Sequence, residues 1–167
     1  MKTFTEQLSK YALYHRDARN ILTHLLGIPL IVLAVLTLLS RPAVDLGSLV
    51  ITPALIVLIL SCMYYIRLNV TYGLVMTILL LAGLQLSMLF AGMATPIWLG
   101  LGIGLFVVGW IIQFIGHAYE GKKPAFVDDI IGLVIGPLFI VVEVAFMLGF
   151  SKDLKQQIEL QAGTIRH

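Results

Sequence analysis

The sequence predicts an all-α integral membrane helical bundle, with about five transmembrane segments and an N-terminal amphipathic helix. Three observations predict it. Hydrophobic residues make up 59% of the chain and charged ones only 12%, about half the charge of a typical soluble domain. Mean hydropathy is +0.99. The apolar residues fall into long runs joined by brief linkers, which leaves no room for a second globular unit.

Residues 3–20 read as an amphipathic helix, because Phe4, Leu8, Tyr11 and His15 fall at helical spacing among polar neighbours. Such a helix lies on the membrane or caps the bundle. Apolar runs follow at 22–40, 49–67, 71–91, 96–118 and 128–150. Crossing a bilayer takes roughly 20 apolar residues, which the last four meet. The first is short, and Pro29 near its start is placed to kink it. Pro53 and Pro137 lie inside runs, where neighbouring helices satisfy the freed carbonyls. The tail from Ser151 is polar and reads as a short helix or disorder. The expected organisation is one membrane domain over 1–167, with an interfacial helix (1–21), a transmembrane bundle (22–150) and a polar tail (151–167).

Composition excludes several functions. A net charge of +2 with no basic patch argues against nucleic acid. Cys62 is the single cysteine and lies in an apolar run, so it reads as packing. The first 20 residues mix both charges ahead of any apolar core, unlike a cleavable signal peptide, so the first span is expected to do its own targeting. Gly100, Gly102, Gly104 and Gly109 imitate a dinucleotide fingerprint, but that loop needs a preceding strand. Close helix packing is the expected role.

The polar residues are concentrated in two clusters. One is Tyr14-His15-Arg16-Asp17-Ala18-Arg19-Asn20-Ile21-Leu22-Thr23-His24; the other is Gln113-Phe114-Ile115-Gly116-His117-Ala118-Tyr119-Glu120-Gly121-Lys122-Lys123-Pro124. Imidazoles and a carboxylate at the ends of apolar helices are costly unless they face a cavity and act there. Together they suit iron, zinc and related ions. His117 and Glu120 share a helix face with Gln113, and Asn20 shares one with His24. His15, nine residues before His24, falls on the opposite side of a continuous helix at about 100° per residue. Both reach one ion only if the chain bends between them. His167, at the C-terminus, carries no expected role.

Charge sets the orientation. With the N-terminus inside, Lys2, Lys10, Arg16, Arg19, Arg67, Lys122 and Lys123 face the cytoplasm, against Arg41, Lys152, Lys155 and Arg166 outside. Both histidine clusters then lie near the cytoplasmic face. Glu143, deep within a span, is expected to hydrogen-bond Tyr64, Tyr65 or Gln85, or to stand behind the metal ligands. Asp128-Asp129 is placed to cap the last span.

At these clusters the chain resembles a known family. Tyr14-His15-Arg16-Asp17 with Asn20, Thr23-His24 and Gly27-Ile28-Pro29 is similar to its N-terminal signature. Trp110-Ile111, Gln113-Phe114-Ile115-Gly116-His117, Glu120-Gly121 and Pro124-Ala125 resemble its second, and Gly136-Pro137-Leu138-Phe139 with Glu143 also fits. The family is the yeast-type 2-hydroxy fatty acid dioxygenases. The resemblance implies an Fe(2+)-dependent α-oxidation, in which a 2-hydroxy fatty acid and O2 give a fatty acid one carbon shorter. It places His15, His24 and His117 on the family's essential histidines, with Glu120 at a motif position and read as a fourth ligand. Arg16, Lys122 or Lys123 would hold the substrate carboxylate. Asn20, Gln113 and Asp17 would orient the ring nitrogens. The expected location is a bacterial inner membrane, or the endoplasmic reticulum in a eukaryote. A diiron desaturase would need more histidines in H-x-x-H-H boxes than this chain has. The non-enzyme alternative is a small membrane scaffold or transporter subunit whose polar clusters fix helix packing. Substrate chain length and oligomeric state are written in no motif.

Overall fold

The computed structural model describes residues 3–45, 47 and 50–166, so Lys2 and His167 lie outside it. The described chain is almost entirely helical: α1 (Phe4–Ala12), α2 (Ala18–Ser40), α3 (Pro53–Leu68), α4 (Val70–Ala91), α5 (Thr95–Glu120), α6 (Gly132–Met147) and α7 (Lys152–Ala162). A two-stranded antiparallel hairpin, β1 (Val44–Asp45) with β2 (Val50–Ile51), sits between α2 and α3. Three helices are long and apolar enough to cross a membrane: α2, α4 and α5. The second apolar run is shorter as a helix than expected. Pro53 lies at the first helical position rather than inside a span, where its missing N–H costs nothing, and Thr52 accepts from Leu55 N to cap the turn. The last run is also shorter as a helix: α6 has 16 residues, and α7, in the polar tail, follows after a 118° bend.

Residue contacts gather into two compact units, Met1–Ile28 with Ile111–His167, and Pro29–Trp110. The second unit holds the ends of α2 and α5 with the α3–α4 pair. A single residue, Asn69, joins α3 to α4; it stands in extended backbone and caps α4 by accepting from Tyr72 N. The two helices meet at Gly73, where an added Cβ would lie 2.6 Å from the Ile66 backbone. Trp98 donates its indole N–H to Thr37 O at 2.8 Å, which ties α5 to α2. Of the glycines expected to pack closely, Gly102 does so against Leu38, while Gly100 and Gly104 face open space.

In the first unit, α1 packs on α6 and α7. Its capping box (Thr3 with Glu6) starts it, and Leu8, Tyr11 and Ala12 are buried. The amphipathic helix therefore ends at Ala12, earlier than residue 20, and turns its apolar face onto protein. The polar tail is ordered: α7 buries Ile158. Large apolar side chains elsewhere point outward, among them Leu26, Ile78 and Leu89. Only 17–39% of each candidate span is buried within the protein, so those faces need lipid.

Candidate metal centre

The centre lies wholly within the first unit and is built around a bend. α1 stops at Ala12 and α2 begins at Ala18. The intervening turn removes the conflict between His15 and His24, which a continuous helix would hold on opposite sides. His15 is 0% exposed, His24 1% and His117 7%. One donor atom from each lies within 4.8 Å of the others.

Hydrogen bonding fixes two of the three rings. His15 Nδ1 meets Tyr11 O at 2.8 Å, and His24 Nδ1 meets Asn20 O at 2.8 Å. A carbonyl only accepts, so both Nδ1 atoms carry the proton and both Nε2 atoms present bare lone pairs. Those two Nε2 atoms stand 3.0 Å apart. Two acceptors at that separation repel unless a cation lies beside both. Burial, reinforced by His24, pushes the His15 pKa well below its ordinary 6.5, so a second proton is disfavoured. Ligands at right angles around an ion, each roughly 2.1 Å from it, are about 3.0 Å apart. His117 Nδ1 is buried without a hydrogen-bond partner. Three neutral, converging imidazoles with these unused lone pairs fit a first-row transition metal. Tyr11 supports them by stacking on His15, with ring centroids 4.2 Å apart and planes 3° apart.

The structure places Glu120 differently from the ligand role expected of it. Its carboxylate faces the N-terminus of α2, and the metal-competent group of described residues is the three histidines without it. Oε2 accepts from Arg16 N at 2.9 Å, Asp17 N at 2.7 Å and Asn20 Nδ2 at 3.1 Å. Oε1 accepts from Arg166 Nη2 at 2.6 Å. Asp17 Oδ1 takes the Arg19 amide, and Arg166 O takes the Ala18 amide. Four successive amides, 16 to 19, thus have acceptors: two in the turn and two in the first residues of α2, where a helix start leaves its amides open.

Arg16 is equally engaged. Nε donates to Ala12 O and His15 O, Nη1 to Gly163 O, and Nη2 to Glu143 at 3.2 Å. Glu143 is 2% exposed and pairs with this guanidinium, not with Tyr64, Tyr65 or Gln85. Lys122 Nζ donates to Leu13 O at 2.7 Å, and Lys123 pairs with Asp128 at 2.6 Å. Asp128 also accepts from Tyr14, and Asp129 from Lys10. The two aspartates thereby hold the 121–131 loop against α1 and its turn, ahead of the start of α6. Asn20 Nδ2 points at two acceptors, Tyr14 O and Glu120, which leaves Oδ1 buried against Gly116. Gln113 is 4% exposed and its Nε2 has no partner. Sequence reasoning missed Arg166 and the stacking Tyr11; only the helical spacing of Tyr11 and His15 hinted at either.

These features define an apolar helical protein with a buried three-histidine centre. The chain matches the family described as 2-hydroxy-palmitic acid dioxygenase Mpo1-like over residues 1–148. It is 34% identical over 157 residues to the 2-hydroxy-palmitic acid dioxygenase MPO1 of Saccharomyces cerevisiae, covering 92% of this chain and 86% of that one. The chain belongs to the Mpo1-like dioxygenase family. No solved structure matches it.

Proposed function

We propose that this protein is an Fe(2+)-dependent membrane dioxygenase that shortens 2-hydroxy fatty acids by one carbon. The 3.0 Å approach of two proton-free Nε2 atoms, with His117 beside them, carries the reading. In the reaction the bond between the carboxyl carbon and C2 breaks. C2 is oxidised from alcohol to carboxylic acid, the lost carbon leaves as carbon dioxide, and O2 is reduced, with water closing the balance. Ferrous iron, when bound, supplies the open positions and the electrons that activate O2 beside a chelating 2-hydroxy acid.

The residues of this chain prepare that chemistry. His15, His24 and His117 would hold the metal, each of the first two aimed by its own Nδ1 bond to a carbonyl. Glu120 and Arg16 act as positioning residues, because their hydrogen bonds fix the turn that carries His15 and the start of the helix that carries His24. Asn20 joins these networks: its side chain bonds Glu120 and its carbonyl anchors His24. Lys122 holds the same turn through Leu13 O. The acyl tail would lie along the outward apolar faces of the helices, in lipid. The basic residues around the clusters favour the cytoplasmic face of the membrane, a bacterial inner membrane or the endoplasmic reticulum.

The test is anaerobic ferrous reconstitution of the purified protein, followed by exposure to O2 and 2-hydroxypalmitate with mass spectrometry. The expected product is the saturated acid one carbon shorter, lost in His117→Ala. Iron-loaded protein that leaves 2-hydroxypalmitate intact would refute the proposal. Protein whose stability is indifferent to metal and chelator would instead point to a scaffold.

A further inference from the structure

Gln113 is the one polar group nominated by the sequence that the structure leaves with nothing to do. It is 4% exposed, and Nε2 is buried without a hydrogen-bond partner. A buried amide donor left alone costs free energy that a purely structural position has no reason to retain. It sits one turn before His117 on α5, on the same helix face, and His117 Nδ1 is the other unpartnered buried atom of that face.

The expected carboxylate holders are engaged elsewhere. Arg16 makes four hydrogen bonds within the protein, one of them to Glu143. Lys122 is bonded to Leu13 O and Lys123 to Asp128. We infer that Gln113 is the substrate-binding residue that donates Nε2–H to a carboxylate oxygen of the 2-hydroxy acid. The inference rests on the dioxygenase reading above. A neutral donor suits the place: it recognises an anion without adding a buried charge beside a divalent ion. One turn along α5 from His117, it can meet the carboxylate of an acid whose oxygens face the same centre, which selects acids over the corresponding alcohols.

The experiment uses full-length protein in detergent, ferrous-loaded for turnover and zinc-loaded for equilibrium binding of 2-hydroxypalmitate. Gln113→Leu removes the donor at nearly constant volume. KM and the zinc-form Kd should each rise roughly 10- to 100-fold, as for loss of a hydrogen bond to a charged group. Iron affinity by chelator competition should stay within about twofold, and Tm should hold or rise because an orphaned donor has gone. Gln113→Asn, which keeps the amide one methylene back, should recover part of the loss. Unchanged KM and Kd, or iron affinity that falls in step with them, overturns the assignment. If wild-type protein turns over no 2-hydroxy acid, the dioxygenase reading fails by itself. The zinc-form Kd then decides Gln113: weaker binding in the variant supports it, and equal or undetectable binding in both proteins overturns it.

Discussion

Replacing Glu120 by alanine removes the acceptor for two backbone amides, Arg16 N and Asp17 N, and for the Asn20 side chain. No water reaches them easily, since the Glu120 side chain is 0% exposed. A buried donor left open costs about 1–3 kcal/mol, so the three together are expected to cost about 3–5 kcal/mol once the turn relaxes. The Arg166 side chain is 61% exposed and returns to solvent, so Arg166→Ala should cost only about 1 kcal/mol. Glu120→Gln keeps one acceptor and should fall between. The measurement is reversible unfolding in detergent, with and without bound divalent metal. Because the released turn carries His15, Glu120→Ala should also weaken metal binding, in proportion to the lost order. An alanine variant no less stable than Arg166→Ala would refute the assignment of Glu120 as the anchor of the turn ahead of α2. Full stability with complete loss of metal would return Glu120 to the ligand set.

Other outcomes follow from the same contacts. Gly116→Ala would drive a methyl into Thr23 Oγ1 and to 2.6 Å from Asn20 Oδ1; about 3 kcal/mol of destabilisation is expected, partly relieved by adding Thr23→Ala, as unfolding curves would show. Gly136→Ala, 2.9 Å from Tyr11 Oη, should be milder than Gly116→Ala; the reverse order would count against the packing described. Glu143→Leu leaves the Arg16 guanidinium buried without its anion and should cost about 3–5 kcal/mol, with Glu143→Gln costing less in the same denaturation assay. Lys123 and the Tyr14 hydroxyl hold the Asp128 pKa below its ordinary 3.8. Its contribution is therefore full above that value and lost as pH falls beneath it. Acidification from about pH 5 to about pH 3 should then cost wild-type protein more stability than Asp128→Asn, and parallel curves would remove the clamp from the account.

Much of the site was legible because its histidines are scarce and its surroundings oily. The meeting of His15, His24 and His117 required only a bend between α1 and α2, a need already visible in the nine-residue spacing. Much of what was illegible is carried by contacts between residues far apart in the chain, such as Glu120 with Arg16 and Arg16 with Glu143. Nothing local in Glu120 says that it faces the amides of residues 16 and 17 rather than an ion, because a carboxylate one turn after a histidine suits both. Arg16 and Glu143 were each read as available to partners other than one another, since hydrophobic patterning does not encode which buried charges pair. Arg166 lies in a polar tail with no periodicity, yet its backbone bonds to Arg16 O and Ala18 N as an isolated parallel bridge beside Asp17. The shortness of α3 was written in Pro53, which reads equally as an interruption or a beginning until the Thr52 cap is seen.

The contact between His24, near the start of α2, and His117, near the end of α5, also constrains how the chain is threaded through lipid. A polypeptide that leaves one leaflet and comes back to it has made an even number of passages. Three helices, α2, α4 and α5, are long and apolar enough to cross, an odd number, and α3, with 16 residues, reaches only about 24 Å across a hydrocarbon layer of about 30 Å. Beyond α5, Arg166 returns to Arg16, so a bent pair α6–α7 that enters lipid would have to come back to the side it left. A passage by α3 would require local thinning of the bilayer around it.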